Sequence, residues 1–311
     1  MKRYSRELTV GGALVLLMIS LAIFAPNFFD TQPMISRLAS QMPALILALG
    51  VALVIITRQI DVSIGSQFGM CAVIAGTAAA AGVPMPLAML CALVAGALMG
   101  AANGWLVAGL GLPSIVVTLA TMVIWQEVLR LWQKGLLLSL PDGVQWFGMS
   151  QGTGQAMVIG STLLILVLMA WAMKNLSSGR RIYATGSDAE AARLAGLAPK
   201  ATTFWVFLLM GVLAGVGAAL NLVQSPQIQP NSGEGLELKA IAAAVVGGIA
   251  ITGGRGTLWG VLLGMMLLAN VNPALTHFHQ PPYWEKAIQG LVILLAVAAD
   301  GIRIKKQKHL K

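Results

Sequence analysis

The sequence predicts an all-α polytopic membrane protein: one transmembrane domain over residues 1–311, about ten spanning helices, both termini in the cytoplasm, and two five-helix halves lying upside down relative to one another. Three observations predict it. Hydrophobic residues make up 57% of the 311 and charged residues only 10%, where soluble domains carry roughly a quarter charged. Several charge-free runs reach the roughly twenty residues that a bilayer core demands, which excludes a large soluble core. The Lys and Arg residues behind the net charge of +9 are confined to loops and ends, the distribution of topology signals rather than of a nucleic-acid face.

Lys2, Arg3 and Arg6 precede a first apolar run over 8–26, too long for a signal-peptide core and without a small-x-small cleavage site, so a retained span is expected. A polar link leads to a second span, 38–57, and the charged turn of Arg58, Gln59 and Asp61 joins it to a third, 62–81. Pro84 and Pro86 lead into the fourth, 87–109, rich in small residues; Gly111, Leu112 and Pro113 break it from the fifth, 114–132. A Gly-rich external loop carrying Trp146 and Phe147 at the interface precedes the sixth, 156–173. After the polar stretch 177–200 come the seventh span, 203–223, an external loop from Gln224 to Glu237, and a short eighth, 238–252. A tight turn at 253–256, the ninth span, 257–272, and the tenth, 283–299, lead to a basic tail. Cys71 and Cys91 fall inside apolar runs and are expected to be small buried hydrophobes, with no disulfide or metal framework.

With the N-terminus inside, 15 of the 20 basic residues are cytoplasmic, the other five being Arg37, Arg130, Lys134, Lys239 and Lys286. That bias and the basic tail favour an even number of spans. Five spans per half is odd, so the halves would be inverted. Gly96, Gly100 and Asn103 in the fourth span are echoed by Gly260, Gly264 and Asn270 in the ninth, a spacing also common in packed membrane helices generally.

The 177–200 stretch is the one long polar interruption, and a compact helix signature lies inside it. Ser187 and Glu190 form a Ser-x-x-Glu capping box. Ala189, Ala191, Ala192, Leu194 and Ala195 suit a helix, and Gly196 and Pro199 stop it. A helix of about two turns is too short to persist alone in water. With Ala191, Leu194 and Leu197 on one apolar side and Asp188 and Arg193 at the polar margin, it reads as a handle docking into another protein on the cytoplasmic side. The plainer reading is a helical turn in an ordinary loop.

No enzyme constellation is present. His277 and His279 have no Cys, Asp or Glu at ligand spacing, and neither a Gly-x-Ser-x-Gly nor a cooperating carboxylate pair occurs. The turn Gly253-Gly254-Arg255-Gly256 resembles a phosphate cradle but lacks the Lys-Ser/Thr of a P-loop, and a tight hairpin is its simpler reading. No catalytic residue, metal site or bound cofactor is therefore expected. The spans are almost free of the ionisable groups that a self-powered carrier keeps at membrane depth. Glu127 is the exception, with Arg130 one turn on; the two are either an interfacial ion pair or a contact for a polar solute. Asn103, Thr118, Thr121, Gln126, Asn221 and Asn270 could line a hydrated path, though each alone also serves as interhelical glue. A pore without a motor, carrying a docking helix, suggests an engine supplied in trans.

The segment Ile55-Thr-Arg-Gln-Ile-Asp61-Val-Ser63-Ile-Gly65-Ser66 resembles a signature of permeases in ribose, xylose and arabinose type ABC importers. So do Asn103-Gly104, the run from Val117 to Thr121, the run from Tyr183 to Gly196, Gly235-Leu-Glu237-Leu-Lys239, and Gly247-Gly248 with Gly254, Arg255 and Gly256. The likeness covers about residues 38–300. Thr57 to Asp61 and Gln145 to Gly148 are similar to the rhamnose branch and to the importer of the furanosyl quorum-sensing signal. Many relatives place Arg-Gly where this chain has Gln126-Glu127, an exchange of a cation for an anion near the outer mouth.

The resemblance implies an ABC importer permease fold in the bacterial inner membrane. It implies a second permease, identical or paralogous, a cytoplasmic ABC ATPase that holds the ATP and Mg, and a periplasmic solute-binding protein delivering a monosaccharide or sugar-like solute. It also implies that Ser187, Asp188, Glu190, Ala191, Arg193, Leu194 and Gly196 form the ATPase-coupling helix, and that Asp61, Ser63, Gly65, Glu237, Gly254 and Gly256 are family motif positions. Two other readings stay open: a sugar facilitator that needs no ATP, and a non-transporting half of a heterodimeric permease.

Overall fold

The computed structural model describes residues 5–24, 26–229, 231–277, 280–281, 283–291 and 293–294. Its helices are α1 (Ser5–Phe24), α2 (Thr31–Ile56), α3 (Ile64–Ala80), α4 (Met85–Gly104), α5 (Ser114–Gln133), α6 (Gln151–Asn175), α7 (Ser177–Ser187), α8 (Ala189–Leu194), α9 (Pro199–Leu222), α10 (Leu236–Val246), α11 (Leu258–Ala269) and α12 (Val271–His277). Residues 284–291 and 293–294 are also helical. Six helices among the described residues are long and apolar enough to cross a membrane, and Thr9–Phe24 and Ile64–Ala80 are shorter apolar helices. The last five residues expected in the tenth span, 295–299, lie outside the described residues, as does the basic tail.

The bundle is built around α2. Every residue from Met42 to Ile56 is buried, as expected for a helix that is hydrophobic all round. It packs against α9, α10, α6 and α11. The closest helix pair is α4 with α9. A Cβ on Gly96 would lie 2.1 Å from the Gly211 carbonyl oxygen, one on Gly100 2.4 Å from that of Phe207, and one on Gly215 2.5 Å from that of Ala92. The backbones therefore touch over an antiparallel row that only glycine permits. Gly247 and Gly264 repeat this between α10 and α11, where added Cβ atoms would come 2.3 Å from the Gly260 oxygen and 2.2 Å from that of Ala243.

These pairings define two ends. At one lie α7, α8, the ends of α2 and α6, the start of α9 and the turn after α10. At the other, β1 (Leu138–Ser139) pairs antiparallel with β2 (Gln227–Ile228), Leu138 opposite Ile228. Trp146 bonds there through its N–H to the Val223 carbonyl at 2.7 Å.

Three expectations are corrected. The 224–237 segment is not a free loop: past β2 it runs back along α3. A Cβ on Gly69 would meet the Ser232 oxygen at 2.4 Å and one on Gly65 the Gly233 oxygen at 2.5 Å. The missing side chains on α3 open a groove for this backbone, and Gly233 and Gly235 turn it at φ 94° and 87°. Within the expected eighth span, 238–252, the helix is α10, whose 11 residues end at Val246 and reach only about 16 Å, and 247–256 turns back. Cys71 is buried, but Cys91 is exposed on the outer face of α4, where the small-residue face turned to α9 leaves it outside.

Candidate functional site

The short helix α8 projects beyond the bundle directly after α7. Its cap is Asp188, not Ser187: the Asp188 carboxylate oxygen Oδ1 accepts from the N–H groups of Glu190 and Ala191, each at 3.0 Å. Ser187 is still the last helical residue of α7, so the capping role passes one residue on, to the first extended position, φ −160°. Glu190 does not reach back. It accepts from Arg193 at 2.6 and 3.1 Å, a fork that pushes the Arg193 guanidinium further above its ordinary value. Ala192 is the buried residue of α8, whereas Ala191 is exposed and Leu197 half-buried. Leu194 is 78% exposed. The apolar side expected to be Ala191, Leu194 and Leu197 is thus split: Ala192 faces the bundle, and Ala191 and Leu194 face away. Gly196, at φ 79°, turns the chain into α9.

Beneath α8 three segments interlock. The Gly254 N–H donates to the Ile56 carbonyl at 2.8 Å, Arg58 Nε donates to the Thr252 carbonyl at 2.7 Å, and its Nη2 donates to the Ser187 carbonyl. Tyr183 Oη donates to the Gly256 carbonyl at 2.8 Å. Room is absent throughout: a Cβ on Gly186 would lie 1.6 Å from the Ile56 oxygen, and one on Gly254 2.4 Å from Ser187 Oγ. Gly254 and Gly256 form the packing surface against which the end of α7 rests.

The linker from Thr57 to Ser63 leads from this knot to a second, buried cluster. Asp61 is 1% exposed, and Ser63, Gln67, Asn103 and Thr118 are closed off as well. Ser63 donates to Asp61 Oδ1 from its N–H at 2.9 Å and its hydroxyl at 2.5 Å. Gln67 Nε2 donates to Asp61 Oδ2 at 3.2 Å and to Ser63 Oγ at 2.9 Å, and Asn103 Nδ2 donates to Ser63 Oγ at 2.9 Å. A carboxylate that only accepts orders the chain, so the serine hydroxyl must donate to it and both amides must donate to the serine. The carbonyl oxygens of Gln67 and Asn103 are left buried without a hydrogen-bond partner. On the other side of α3's first turn, Glu237 caps α10 by accepting from the Gly235 N–H at 3.0 Å, and a Cβ on Gly65 would strike its carboxylate at 2.2 Å. Asp61, Ser63, Gly65 and Glu237 therefore meet at one place, the first turn of α3.

Of the residues expected to line a path, Asn103, Thr118 and Thr121 come together beside the buried 60–63 linker, and the other four lie elsewhere. Asn103, Thr118 and Thr121 are buried against their neighbours. Glu127 accepts from Arg130 Nη1 at 2.7 Å on an exposed face, and Gln126 is half-buried one residue away. Asn221 lies in the last turn of α9 at the β end. Asn270 bonds back to its own helix at the Met266 carbonyl, 2.7 Å, at the end of α11, which packs chiefly on α10, α1 and α2. Sequence reasoning missed Gln67 and Arg58 as organising residues, and the half-buried pair of Lys239 with Glu285 at 3.4 Å. Gln67 lies four residues from Ser63, on the same helix face, which was the available signal. Among the described residues no group of three or more His, Cys, Asp or Glu could hold a metal.

Comparison with known proteins bears on what this arrangement serves. The model of the family described as "Branched-chain amino acid transport system / permease component" matches residues 34–297. The chain is similar to the autoinducer 2 import system permease protein LsrC of Enterobacter sp. (strain 638), 39% identical over 96% of this chain and 87% of the relative. The proteins of that name from Klebsiella pneumoniae (38%, 96% and 87%) and Escherichia coli K12 (34%, 99% and 90%) are also similar.

Proposed function

The chain belongs to the branched-chain amino acid transport system permease family, and from that premise we propose that it is the translocating subunit of an ATP-driven ABC importer for a sugar-like solute. It is a multi-pass inner-membrane transport subunit rather than an enzyme. The solute class is a monosaccharide or the furanosyl autoinducer. The names of the relatives favour the autoinducer over a rhamnose-type sugar. The partners in this reading are an ATPase carrying ATP and Mg, a second permease, and a periplasmic binding protein.

The observation that carries the proposal is α8: a capped, six-residue helix held outside the bundle, with Leu194 78% exposed beside the Arg193–Glu190 fork. A large apolar side chain so exposed on so small a helix fits a pocket on a soluble partner. Arg58, Lys174, Arg180, Arg181, Arg193, Lys200 and Arg255 gather at this end, which supports placing it in the cytosol, with ten spans, inverted halves and both termini inside. ATP-driven closure of the partner would push on α8 and switch the bundle between outward- and inward-open arrangements.

Reconstitution tests this. With ATPase, second permease and binding protein in liposomes, uptake should require ATP, and Leu194→Asp or Glu190→Lys should lower uptake about tenfold or more while the permease stays folded. Flux through this chain alone would identify a facilitator. Normal uptake in both variants would remove the docking role of α8.

A further inference from the structure

Resting on the reading of α8 above, we propose that Arg58 is a positioning residue for coupling, and that the 57–63 linker is the strap by which a displacement of α8 reaches α5. The linker is tied at both ends to elements that otherwise have little to do with each other. At the α8 end Arg58 holds two carbonyls at once, Thr252 of the turn after α10 and Ser187 at the junction of α7 with α8. Ser187 immediately precedes the α8 cap, so any push on α8 is felt first at this carbonyl. At the other end the linker is gripped by α5. Ser114 Oγ accepts from the Ile60 N–H at 3.1 Å, Thr118 Oγ1 accepts from the Val62 N–H at 3.2 Å, and the same hydroxyl donates to the Ile60 carbonyl at 3.3 Å.

Three features make the linker a strap rather than a spacer. Arg58 sits at φ 62°, a left-handed conformation that strains a residue carrying a Cβ and that glycine adopts freely. Arginine persists there because only its planar fork reaches two carbonyls on different segments. The Asp61, Ser63, Gln67 and Asn103 network then clamps the linker to α3 and α4, so motion at Arg58 is not absorbed by slack chain. Finally, α5 packs chiefly on α3 and shows an exposed face along most of its length. Ser114 and Thr118, in its first turns, are the points at which it can be steered.

The test uses Arg58→Gly, which removes the fork while relieving the backbone, so that misfolding is not the default outcome. It is compared with Arg58→Lys in the complete importer in proteoliposomes. The expected result for Arg58→Gly is normal permease yield, normal co-purification of the ATPase and continued ATP hydrolysis, with uptake reduced about tenfold; Arg58→Lys, which keeps a donor to one carbonyl, recovers part of it. A second readout is Ala120→Cys on the exposed face of α5, in a Cys91→Ala background. Its alkylation rate should change with nucleotide in the parent and not in Arg58→Gly. Unimpaired uptake, or a nucleotide response at Ala120→Cys that survives Arg58→Gly, overturns the strap while leaving α8 as the docking site. If no ATPase accompanies even the parent chain, the reading of α8 fails, and the strap fails with it.

Discussion

At the scale of single residues, the molecule is decided by contacts that leave no room for a methyl group and by buried polar groups that bond to one another. Gly186 is an instance of the first. Its Cβ would overlap the Ile56 carbonyl oxygen at 1.6 Å, so Gly186→Ala should destabilise the protein by about 1–3 kcal/mol. The thermal midpoint in detergent should fall; Gly12→Ala, inside α1 with nothing within 4 Å, is the control and should not lower it. Asn103 is an instance of the second. Asn103→Leu removes one donor to Ser63 Oγ together with an unpaired buried oxygen, and should cost no more than about 1 kcal/mol. Asn103→Asp places a second carboxylate next to the Asp61 network and should lower folded yield more severely, an ordering readable by size-exclusion chromatography. Asp61, Ser63, Gly65 and Glu237 could be picked out from sequence as motif positions. That they meet at one turn of α3 could not, because Glu237 arrives through a re-entrant segment that resembles an ordinary glycine- and proline-rich loop.

At the scale of elements, α8 shows how a local pattern is right in kind and wrong by a residue. A short capped helix was expected from Ser187 and Glu190, and a short capped helix is present. Its cap is Asp188 because α7 extends helical geometry through Ser187, which a propensity pattern centred on one helix does not anticipate. Asp188→Ala should therefore destabilise α8 by about 1 kcal/mol and Ser187→Ala by much less. Amide exchange at Glu190 and Ala191, whose N–H groups the Asp188 carboxylate holds, should accelerate in the first variant only. For α10 the sequence supplied an apolar run but not its depth. The helix is shorter than a span, and its neighbour in the chain runs along the glycines of α3 before the helix begins.

At the scale of the whole molecule, the order and apolar character of the helices were legible from hydropathy, since each element carries that signal within itself. Their partners were not. Gly96 meets Gly211, and Arg58 meets carbonyls 129 and 194 residues away; periodicity marks a face for packing without saying what packs there. Inverted symmetry was suggested by Gly96 and Gly100 against Gly260 and Gly264, and both glycine pairs do sit in backbone-to-backbone helix contacts, the arrangement any close membrane packing favours. Coupling depends on where α8 lies and what covers it. Leu194→Cys, in the Cys91→Ala background and in membranes holding the complete importer, tests this most directly with a membrane-impermeant maleimide. Labelling is expected in inside-out vesicles only, and only after the ATPase has been stripped off. Labelling in right-side-out vesicles, or equal labelling with the ATPase in place, would contradict it.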